Sequence, residues 1–356
     1  MSNVSILAVK IDAVSQHPHA DRLDLVTIAG YTTVVARDDF KVGDIVVHFP
    51  PDILIPEGIA TQLGVIKYLK SAIYPGDSKK TNCRVGAVRL RGAPSFGFVM
   101  RLKGITLGED LTHRFNGVKY EPVEPKWWNQ TGDASPDNPI FHLYTDIENY
   151  RNPRFRGAFK TGLPVRITEK IHGTNSRVAL ISGNYYAGSH KVNKKEFDTK
   201  SNRTLYWTPM TNDMQALLWY FAEHYGQNVI VFGEIYGSKI QFMSYGVTGQ
   251  GGYRVFDISV NGQYINWGEV KAACDRFCIP TVPLLYTGPF YEGLVDRLVD
   301  GPTTVLDTRL LKEKFTGREG IVITPLHEDF SDILGGRLIM KAVSCDYLES
   351  RKSDSH

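Results

Sequence analysis

The first hundred residues alternate short apolar runs with turn-forming residues. The turns are marked by stretches rich in Gly, Pro and Asp, namely HPHAD, RDDFKVGD, PPD and RGAPS. The apolar runs between them each have the length of one strand. They are ILAVKIDAV, LDLVTIAG, YTTVVAR, DIVVHFP, AVRLRG and FGFVMRL. Several short strands with little helix predict a small β-barrel or sandwich from Val4 to about Met100.

The pattern changes after Tyr120. The stretch YEPVEPKWWNQTGDASPDNP has no hydrophobic period and predicts a linker. The stretch YTDIENYRN predicts a short helix capped by Thr145 or Asp146. The chain therefore divides into two predicted domains, a linker between them and a frayed tail. In chain order these segments are 1–122, 123–143 (the linker), 144–350 and 351–356 (the tail).

Strands and helices mix beyond Pro164. Two amphipathic stretches predict helices, TNDMQALLWYFAEHYG and WGEVKAACDRFC. The predicted strands are LPVRITEKI, SRVALISG, NVIVFGEIYG, YRVFDISV and EGIVITP. This mixture predicts an α+β domain of about 200 residues, which is an ordinary domain size.

Composition adds little to this picture. With 356 residues, of which 42% are hydrophobic and 22% charged, the chain can bury two globular cores. The formal net charge of +3 permits a nucleic-acid partner but does not argue for one, because a cationic stripe can hide within a near-neutral total.

The cysteines and the N-terminus indicate the compartment. Cys274 and Cys278 are spaced i,i+4, and neither Cys83 nor Cys345 completes a zinc-ligand pattern, so buried thiols are expected. No disulfide framework is evident, which fits a reducing environment. No signal-like segment and no run near the roughly 18 apolar residues of a membrane span occurs. We expect a soluble, monomeric, intracellular protein, cytoplasmic or nuclear.

The string EKIHGTN, residues 169–175, follows directly on the strand LPVRIT. It lacks the glycine spacing and the GK[ST] ending of a P-loop. Lys170 is a candidate covalent nucleophile, which requires its amine to be neutral. Gly173 would let the backbone approach phosphates, and Thr174 and Asn175 would add polar contacts. On this string alone, a surface lysine before a turn is an equally good interpretation.

Three further charged residues lie within apolar strands. Glu234 in VFGEIYG and Glu319 in REGIVI are carboxylates at positions where burial is costly without a cation. Together they suit a hard divalent metal, held directly or through water. Lys341 in RLIMKAV would find its natural partner in a phosphate. With Lys170, these residues describe a phosphoryl-transfer pocket, although each glutamate alone could equally form a structural salt bridge.

These four strings, in this order, resemble the nucleotidyltransferase motifs of the covalent ligase and capping-enzyme superfamily. In that superfamily a lysine attacks the nucleotide α-phosphorus and forms a lysine–NMP phosphoramidate. The form EKIHGTN, with histidine before the glycine, is similar to the RNA ligases rather than to DNA ligases or guanylyltransferases. The resemblance covers most of residues 145–350 and implies an ATP-grasp-like ligase adenylation domain with α+β structure.

The resemblance also implies a role for each residue. Lys170 would be the nucleophile and would carry AMP, with Mg²⁺ or Mn²⁺ as the metal. Glu234 and Glu319 would hold the metal and contact the ribose, Lys341 would contact the α-phosphate, and His172 would contact phosphate or the leaving pyrophosphate. Further implied nucleotide contacts are Glu169, Ile171, Asn175 and His190. The base-stacking aromatic is expected in YRVFDI, at Phe256 or, less favoured, at Tyr253.

The chain departs from the family pattern at two places. In the family, an arginine about twenty residues after the nucleophile binds the RNA 5′-phosphate. Here that place has the string Ser189-His190-Lys191, so His190 or Lys191 would have to bind the phosphate. The last family motif often has two lysines two residues apart. Here Ile339 occupies the earlier place, which leaves Lys341 alone or assisted by Arg337.

The N-terminal half carries a second resemblance. HPHADRLDLVTIAG, followed by VGD and RLRGAPSFG, resembles the tRNA-binding type of OB-fold, an all-β barrel. Such barrels bind single strands through a basic groove, and the RNA contacts are expected at Arg89 and Arg91. The candidate charges of the groove are Lys80, Arg84, Arg89, Arg91 and Arg101. A solvated barrel face would present similar charges.

An OB-fold ahead of a ligase domain is similar to the Naegleria-type RNA ligases over nearly the whole chain. The implied function is ATP-dependent joining of RNA 3′-hydroxyl and 5′-phosphate ends through a lysine–AMP intermediate. Two alternatives stay open: an RNA- or tRNA-binding protein with a degenerate ligase domain, and a DNA-joining or capping nucleotidyltransferase. The natural RNA, the end geometry and the preferred metal do not follow from the sequence.

Overall fold

The computed structural model describes residues 4–121, 133–249, 251–305 and 315–350. Residues 123–132 of the predicted linker and all of the predicted tail lie outside these ranges. The chain forms two compact units that are not continuous in sequence. The first comprises Met1–Pro122, Ile147–Ala158 and Ala342–His356, and the second comprises Val123–Asp146 and Phe159–Lys341. The predicted domain boundaries stay predictions.

Short strands dominate the stretch from residue 4 to residue 158. The strands are β1 Leu7–Lys10, β2 Ala13–Gln16, β3 Leu23–Ile28, β4 Tyr31–Ala36, β5 Ile45–Phe49, β6 Ile53–Leu54, β7 Lys70–Ile73, β8 Lys80–Arg84, β9 Ala87–Leu90, β10 Ala93–Phe96, β11 Phe98–Met100, β12 Val118–Lys119 and β13 Glu148–Asn149. The helix α1 spans Glu57–Gln62, and short 3-10 helices span Ile66–Tyr68 and Pro153–Phe155.

The first unit is an antiparallel β structure in which β3 alternates buried and partly buried side chains, whereas β1 and β5 are buried along most of their length. β3 lies between β2 and β4, and β5 lies between β1 and β11. Every second residue of β3 is buried, as expected when one face of a strand covers a core. Phe49 stacks on Phe98 at 4.3 Å in a second hydrophobic cluster of this unit. All six predicted strands are present, but the predicted RGAPS turn is shorter than expected because β10 already begins at Ala93.

Strands and helices mix from residue 159 to residue 350, as predicted. The strands are β14 Pro164–Lys170, β15 Thr174–Ile181, β16 Asn184–Ser189, β17 Asn193–Lys194, β18 Asn228–Tyr236, β19 Gly252–Val260, β20 Gln263–Tyr264, β21 Leu284–Pro289, β22 Gly320–Pro325, β23 Phe330–Ser331, β24 Gly336–Arg337 and β25 Met340–Val343. The helices are α2 Asn212–His224, α3 Trp267–Arg276, α4 Leu294–Val299 and α5 Cys345–Ser350, with a 3-10 helix at Leu205–Trp207.

Two antiparallel arrangements position the site in the second unit. One is a six-stranded sheet in the order β17-β16-β15-β18-β19-β20, and in the other β14 pairs with β21 and β22. Helix α2 is capped by Thr211, whose hydroxyl accepts a hydrogen bond from the Met214 amide at 3.2 Å. Its buried residues, Met214, Leu217, Leu218 and Phe221, recur at the helical spacing that the sequence showed.

The predicted helix in YTDIENYRN is wrong. The segment contains β13 and is followed by the 3-10 helix at Pro153. The Asn149 side chain accepts from the Arg151 amide at 3.0 Å, and the Asn152 side chain accepts from the Arg154 amide at 3.1 Å. These local bonds compete with helical ones, and Pro153 cannot donate.

Two expectations about other segments have mixed outcomes. Cys83 and Cys274 are buried as expected, but Cys278 is exposed, because α3 ends before it and its φ is +54°. Of the helices within the described ranges, none is both long enough and apolar enough to cross a membrane.

Candidate active site

Lys170 lies at the end of β14, where the chain turns into β15. Gly173 in this turn comes so close to β18 that a Cβ there would lie 2.2 Å from the Ile235 carbonyl oxygen and 3.0 Å from the Glu234 Cγ. Any side chain at this position would force the strands apart. Gly173, which the sequence analysis suggested for close approach of the backbone to phosphates, therefore allows the turn after Lys170 to pack against β18.

An ion pair joins Lys170 to Glu319. The Lys170 Nζ lies 2.7 Å from the Glu319 Oε1, and the His172 Nδ1 lies 3.6 Å from the Glu319 Oε2. Because Lys170 pairs in register with Gly320 on β22, Glu319 falls beside the lysine. The structure thus brings together three of the predicted catalytic side chains.

The two glutamates of the site are in opposite electrostatic situations. Burial would raise the pKa of Glu319, but Lys170 and His172 outweigh burial and hold that pKa at about 2. Burial raises the pKa of Glu234 to about 8, with the Glu319 charge adding to the effect and Lys170 opposing it. Glu319 is therefore ionised at neutral pH, whereas Glu234 is largely protonated until a further cation arrives.

Replacing Glu234 with glutamine is expected to stabilise the ligand-free protein at high pH. The folded-state pKa of Glu234 is raised, so the wild-type protein loses free energy of unfolding as the pH rises from about 4.5 to about 8. Glutamine cannot ionise and avoids this loss. We expect a gain of about 1–3 kcal/mol in the free energy of unfolding at pH 9 and no difference at pH 5. Urea unfolding of both proteins at the two pH values measures it. A gain of equal size at both pH values would contradict the raised pKa.

Asn175 faces the same region from β15. It pairs in register with Glu234, and its side-chain oxygen is buried without a hydrogen-bond partner among the described residues. A buried acceptor in this condition suits a ligand that donates a hydrogen bond.

The donor set fits a divalent metal held mainly by other ligands. Across the described part of the chain, no group of three or more His, Cys, Asp or Glu side chains forms a ready metal cluster. Two carboxylates, Glu234 and Glu319, are what Mg²⁺ commonly uses when water and substrate phosphates complete its shell. The predicted metal residues therefore match a nucleotide-dependent site rather than a protein-only cage.

Two tyrosines that the sequence did not single out hold the lysine turn. The Tyr245 hydroxyl accepts a hydrogen bond from the His172 amide at 2.8 Å, and the Tyr206 hydroxyl lies 3.1 Å from the Thr174 Oγ1. Tyr245 is fully buried with a φ of +53°, a conformation rare for tyrosine. Neither residue lies in a motif string, so no sequence signal identified them.

The side chain of Glu169 is engaged away from Lys170. Neighbouring strand residues point to opposite faces, and the Glu169 carboxylate accepts bonds from the Thr303 hydroxyl at 2.5 Å and the Thr304 amide at 2.7 Å. Ile171 is buried as well. The two side chains are therefore occupied within the protein, and nucleotide contact by the backbone groups of Glu169 and Ile171 stays a prediction.

The two candidate stacking aromatics differ in their surroundings. Phe256 is partly buried and meets the Tyr144 ring edge-on, with centroids 4.8 Å apart. Tyr253 covers Gly233 so closely that a Cβ there would lie 2.3 Å from its ring. The contacts of Tyr253 are those of a packed residue, and the stacking role of Phe256 stays a prediction.

Arg337 does not assist Lys341 at a phosphate. Its guanidinium is 2.8 Å from Asp257 and 2.6 Å from Glu328, and it stacks on the Tyr264 ring. These partners account for the arginine, so the suggested assistance is wrong. Lys341 lies on β25, which is the neighbour of β22 in the sheet.

His190 and Lys191 follow the end of β16. Burial lowers the pKa of His190, and the positive charges of Arg177 and Lys191 lower it further. His190 is therefore neutral near pH 7, whereas Lys191 is exposed and cationic. Between the two candidates for the phosphate grip, charge favours Lys191.

The candidate basic groove of the first unit is smaller than predicted. Arg84 is buried, bonds Asp52 at 2.7 Å and stacks on Tyr120, so its assignment to the groove is wrong. Arg101 is held 3.1 Å from Asp44. The exposed members are Lys80, Arg89, Arg91 and Arg101, of which Arg89 bonds Glu349 at 2.5 Å.

Solved structures of Naegleria gruberi RNA ligase share this fold. A lysine-to-alanine mutant with ATP and manganese is 22% identical to this chain with a TM-score of 0.74, over 98% of this chain and 99% of that chain. The same ligase with pyrophosphate is 23% identical with a TM-score of 0.72, over 97% and 98%. A lysine-to-methionine mutant with AMP and manganese is 22% identical with a TM-score of 0.73, over 97% and 98%. None of the curated proteins matches the chain.

Two family models match successive parts of the sequence. An OB-fold domain matches residues 5–102, which confirms the predicted N-terminal barrel, and the RNA ligase model matches residues 163–343. The second match covers just over half of the chain and contains Lys170, Glu234 and Glu319. On this match, the chain belongs to the RNA ligase family.

Proposed function

We propose that this RNA ligase joins an RNA 3′-hydroxyl to an RNA 5′-phosphate at the expense of ATP, with AMP carried on Lys170. The observation that supports this most is the pairing of Lys170 with Glu319 at 2.7 Å, beside His172 and close to Glu234. An intact pocket of this kind argues against a degenerate ligase domain.

The first step forms a bond between Lys170 and the nucleotide. The neutral amine attacks the α-phosphorus of ATP, a P–N bond forms, and the bond from the α-phosphorus to the β-phosphate oxygen breaks. Pyrophosphate leaves, and the amine gives up a proton. Glu234 and Glu319 would hold a divalent metal, Mg²⁺ or Mn²⁺, which would neutralise phosphate charge when bound. The Naegleria ligase structures with ATP and manganese, AMP and manganese, and pyrophosphate contain the participants of such a step.

The later steps use the same pocket. The AMP moves from Lys170 to the RNA 5′-phosphate, and a 3′-hydroxyl then attacks the activated end and expels AMP. The proposed supporting roles are phosphate contact for His172 and Lys341, stacking for Phe256 and hydrogen bonding for Asn175. Backbone groups of Glu169 and Ile171 would contact the adenine.

Intact-mass spectrometry tests the proposal. Purified protein incubated with ATP and Mg²⁺ or Mn²⁺ is expected to gain the mass of one AMP and to lose it on addition of 5′-phosphorylated RNA. GTP in place of ATP is the control for a capping activity, and 5′-phosphorylated DNA is the control for DNA joining. If the protein gains no nucleotide with either metal, the alternative of an RNA-binding protein with a degenerate ligase domain would be favoured.

Replacing Arg91 with alanine is expected to weaken RNA binding and to lower its salt dependence. Arg91 is exposed in the turn between β9 and β10. Loss of one phosphate contact reduces the slope of log K against log salt by about one. Binding of a single-stranded RNA at several salt concentrations measures the slope. Arg156→Ala, which removes an exposed arginine held 3.7 Å from Asp12, is the matched control. If the Arg91→Ala and Arg156→Ala variants had equal slopes, Arg91 would not belong to the RNA-binding surface.

A further inference from the structure

The loop that follows β18, residues 237–249, carries an exposed aromatic ring next to the catalytic pocket. Phe242 is 52% exposed, although phenylalanine is among the residues most often buried. Its ring meets the His172 ring at a centroid distance of 5.0 Å and an interplanar angle of 59°. His172 in turn lies beside Glu319, the partner of Lys170. Phe242 therefore presents an apolar surface to solvent at the edge of the pocket.

The exposure of Phe242 occurs in a loop whose other large apolar side chains are anchored. Ile240, Met243 and Tyr245 are all buried. The Tyr245 hydroxyl accepts a hydrogen bond from the His172 amide at 2.8 Å, which holds the loop against the turn that follows the nucleophilic lysine. Because its neighbours are fixed in this way, the Phe242 ring has a defined place on the surface beside the reacting groups.

An exposed ring beside a phosphoryl-transfer pocket suits a nucleobase. Unpaired RNA bases stack on aromatic side chains, and every base has a flat face for this contact. A protein partner would need a contiguous apolar patch, but the residues around Phe242 that reach the surface of this loop are polar. They are Ser238, Lys239, Gln241 and Ser244. The Lys239 ammonium adds a positive charge that suits an RNA backbone.

The order of strands indicates which RNA end would reach Phe242. In the six-stranded sheet, β15 lies between β16 and β18. Ser189 at the end of β16 pairs in register with Ser176, and Ile235 near the end of β18 pairs with Thr174. Both strands thus end at the edge of the sheet where β15 begins. The candidates for binding the RNA 5′-phosphate follow β16, so the loop after β18 is on the side left for the 3′-hydroxyl end.

We propose that Phe242 is the stacking platform for the base of the RNA nucleotide that carries the 3′-hydroxyl. This inference rests on the proposed ligase function and adds to it a residue that positions the attacking end. Stacking would hold the terminal nucleotide beside His172, so that its 3′-hydroxyl is oriented toward the activated 5′ end. Because every base offers a flat face, the platform imposes little preference for sequence.

The test compares acceptor RNAs with and without the terminal base. An RNA that carries 5′-adenylate is joined across a complementary splint to a 3′-hydroxyl acceptor, whose last nucleotide is either adenosine or an abasic ribose. The ratio of the two kcat/KM values measures the contribution of the base. We expect Phe242→Leu to reduce this ratio about tenfold relative to the wild type, because leucine keeps an apolar contact with His172 but offers no flat ring. Phe242→Tyr retains the ring and should retain the wild-type ratio.

Phe330→Leu is the matched control, since Phe330 is 62% exposed and lies on β23. It should keep the wild-type ratio. The platform is overturned if Phe242→Leu keeps that ratio, even if both rates fall together, because a common fall would mean that Phe242 only supports His172. It is also overturned if Phe242→Tyr has the same low ratio as Phe242→Leu. A wild type that neither takes up AMP nor joins adenylated RNA would overturn the proposed function and the platform with it.

Discussion

Replacing Lys170 with alanine is expected to abolish covalent attachment of AMP. The side chain supplies the only proposed nucleophile, and its Nζ lies next to Glu319 in the pocket. The loss should exceed the roughly hundredfold effects typical of removing one stabilising donor, because bond formation itself becomes impossible. Sealing of RNA that already carries 5′-adenylate should persist in part, since the last step does not use Lys170 as a carrier. Intact-mass spectrometry and sealing of 5′-adenylated RNA measure the two effects.

Lys170→Arg is the matched control for charge. A guanidinium keeps the positive charge beside Glu319 but stays protonated, so it cannot attack phosphorus. We expect no AMP adduct on this variant either. An alanine variant that still acquires one AMP would show that another residue is the nucleophile.

The strand pattern and the motif strings were predictable because each depends on local sequence. β14, β15, β18, β19 and β22 all coincide with predicted apolar runs. The strings at Lys170 and Glu319 are adjacent in space since β14 pairs with β22, and the family resemblance anticipated their order along the chain. Hydrophobic period and family resemblance thus predicted the strands that bring Lys170 and Glu319 together.

Partners of buried charges could not be predicted, because they depend on contacts between distant segments. In the sequence, Arg177 is one residue of an apolar strand. In the structure it donates hydrogen bonds to the Phe141 carbonyl and to the Asn193 side chain, which lie 36 residues before it and 16 residues after it in the chain. The sequence suggested that Arg84 and Arg337 could bind phosphates. In the structure they form ion pairs with Asp52 and Asp257. Sequence shows where a charge occurs, but only the fold shows what neutralises it.

Replacing Glu319 with alanine or glutamine is expected to reduce the rate of AMP attachment by about a hundredfold or more. The carboxylate is ionised at neutral pH, because Lys170 and His172 hold its pKa at about 2 against the effect of burial. Its loss removes negative charge from beside the nucleophile and from the proposed metal partners. Glutamine preserves size and hydrogen bonding, so a defect shared by both variants would be assigned to the charge. Single-turnover adenylation over a metal titration measures it.

Stability must be separated from chemistry in this experiment. The folded-state pKa of Glu319 is depressed, so its charge stabilises the protein above about pH 4.5 and this contribution fades as the pH falls toward 2. The variants should therefore melt below the wild type at pH 7, with the gap narrowing in acid. Glu196→Ala, which breaks an ion pair with Arg203 at 3.2 Å, is the matched control and should adenylate normally. If Glu319→Gln remained folded and adenylated at the wild-type rate at every metal concentration, the glutamate would be only a structural partner of Lys170, and the metal would have to be held by Glu234 and the nucleotide.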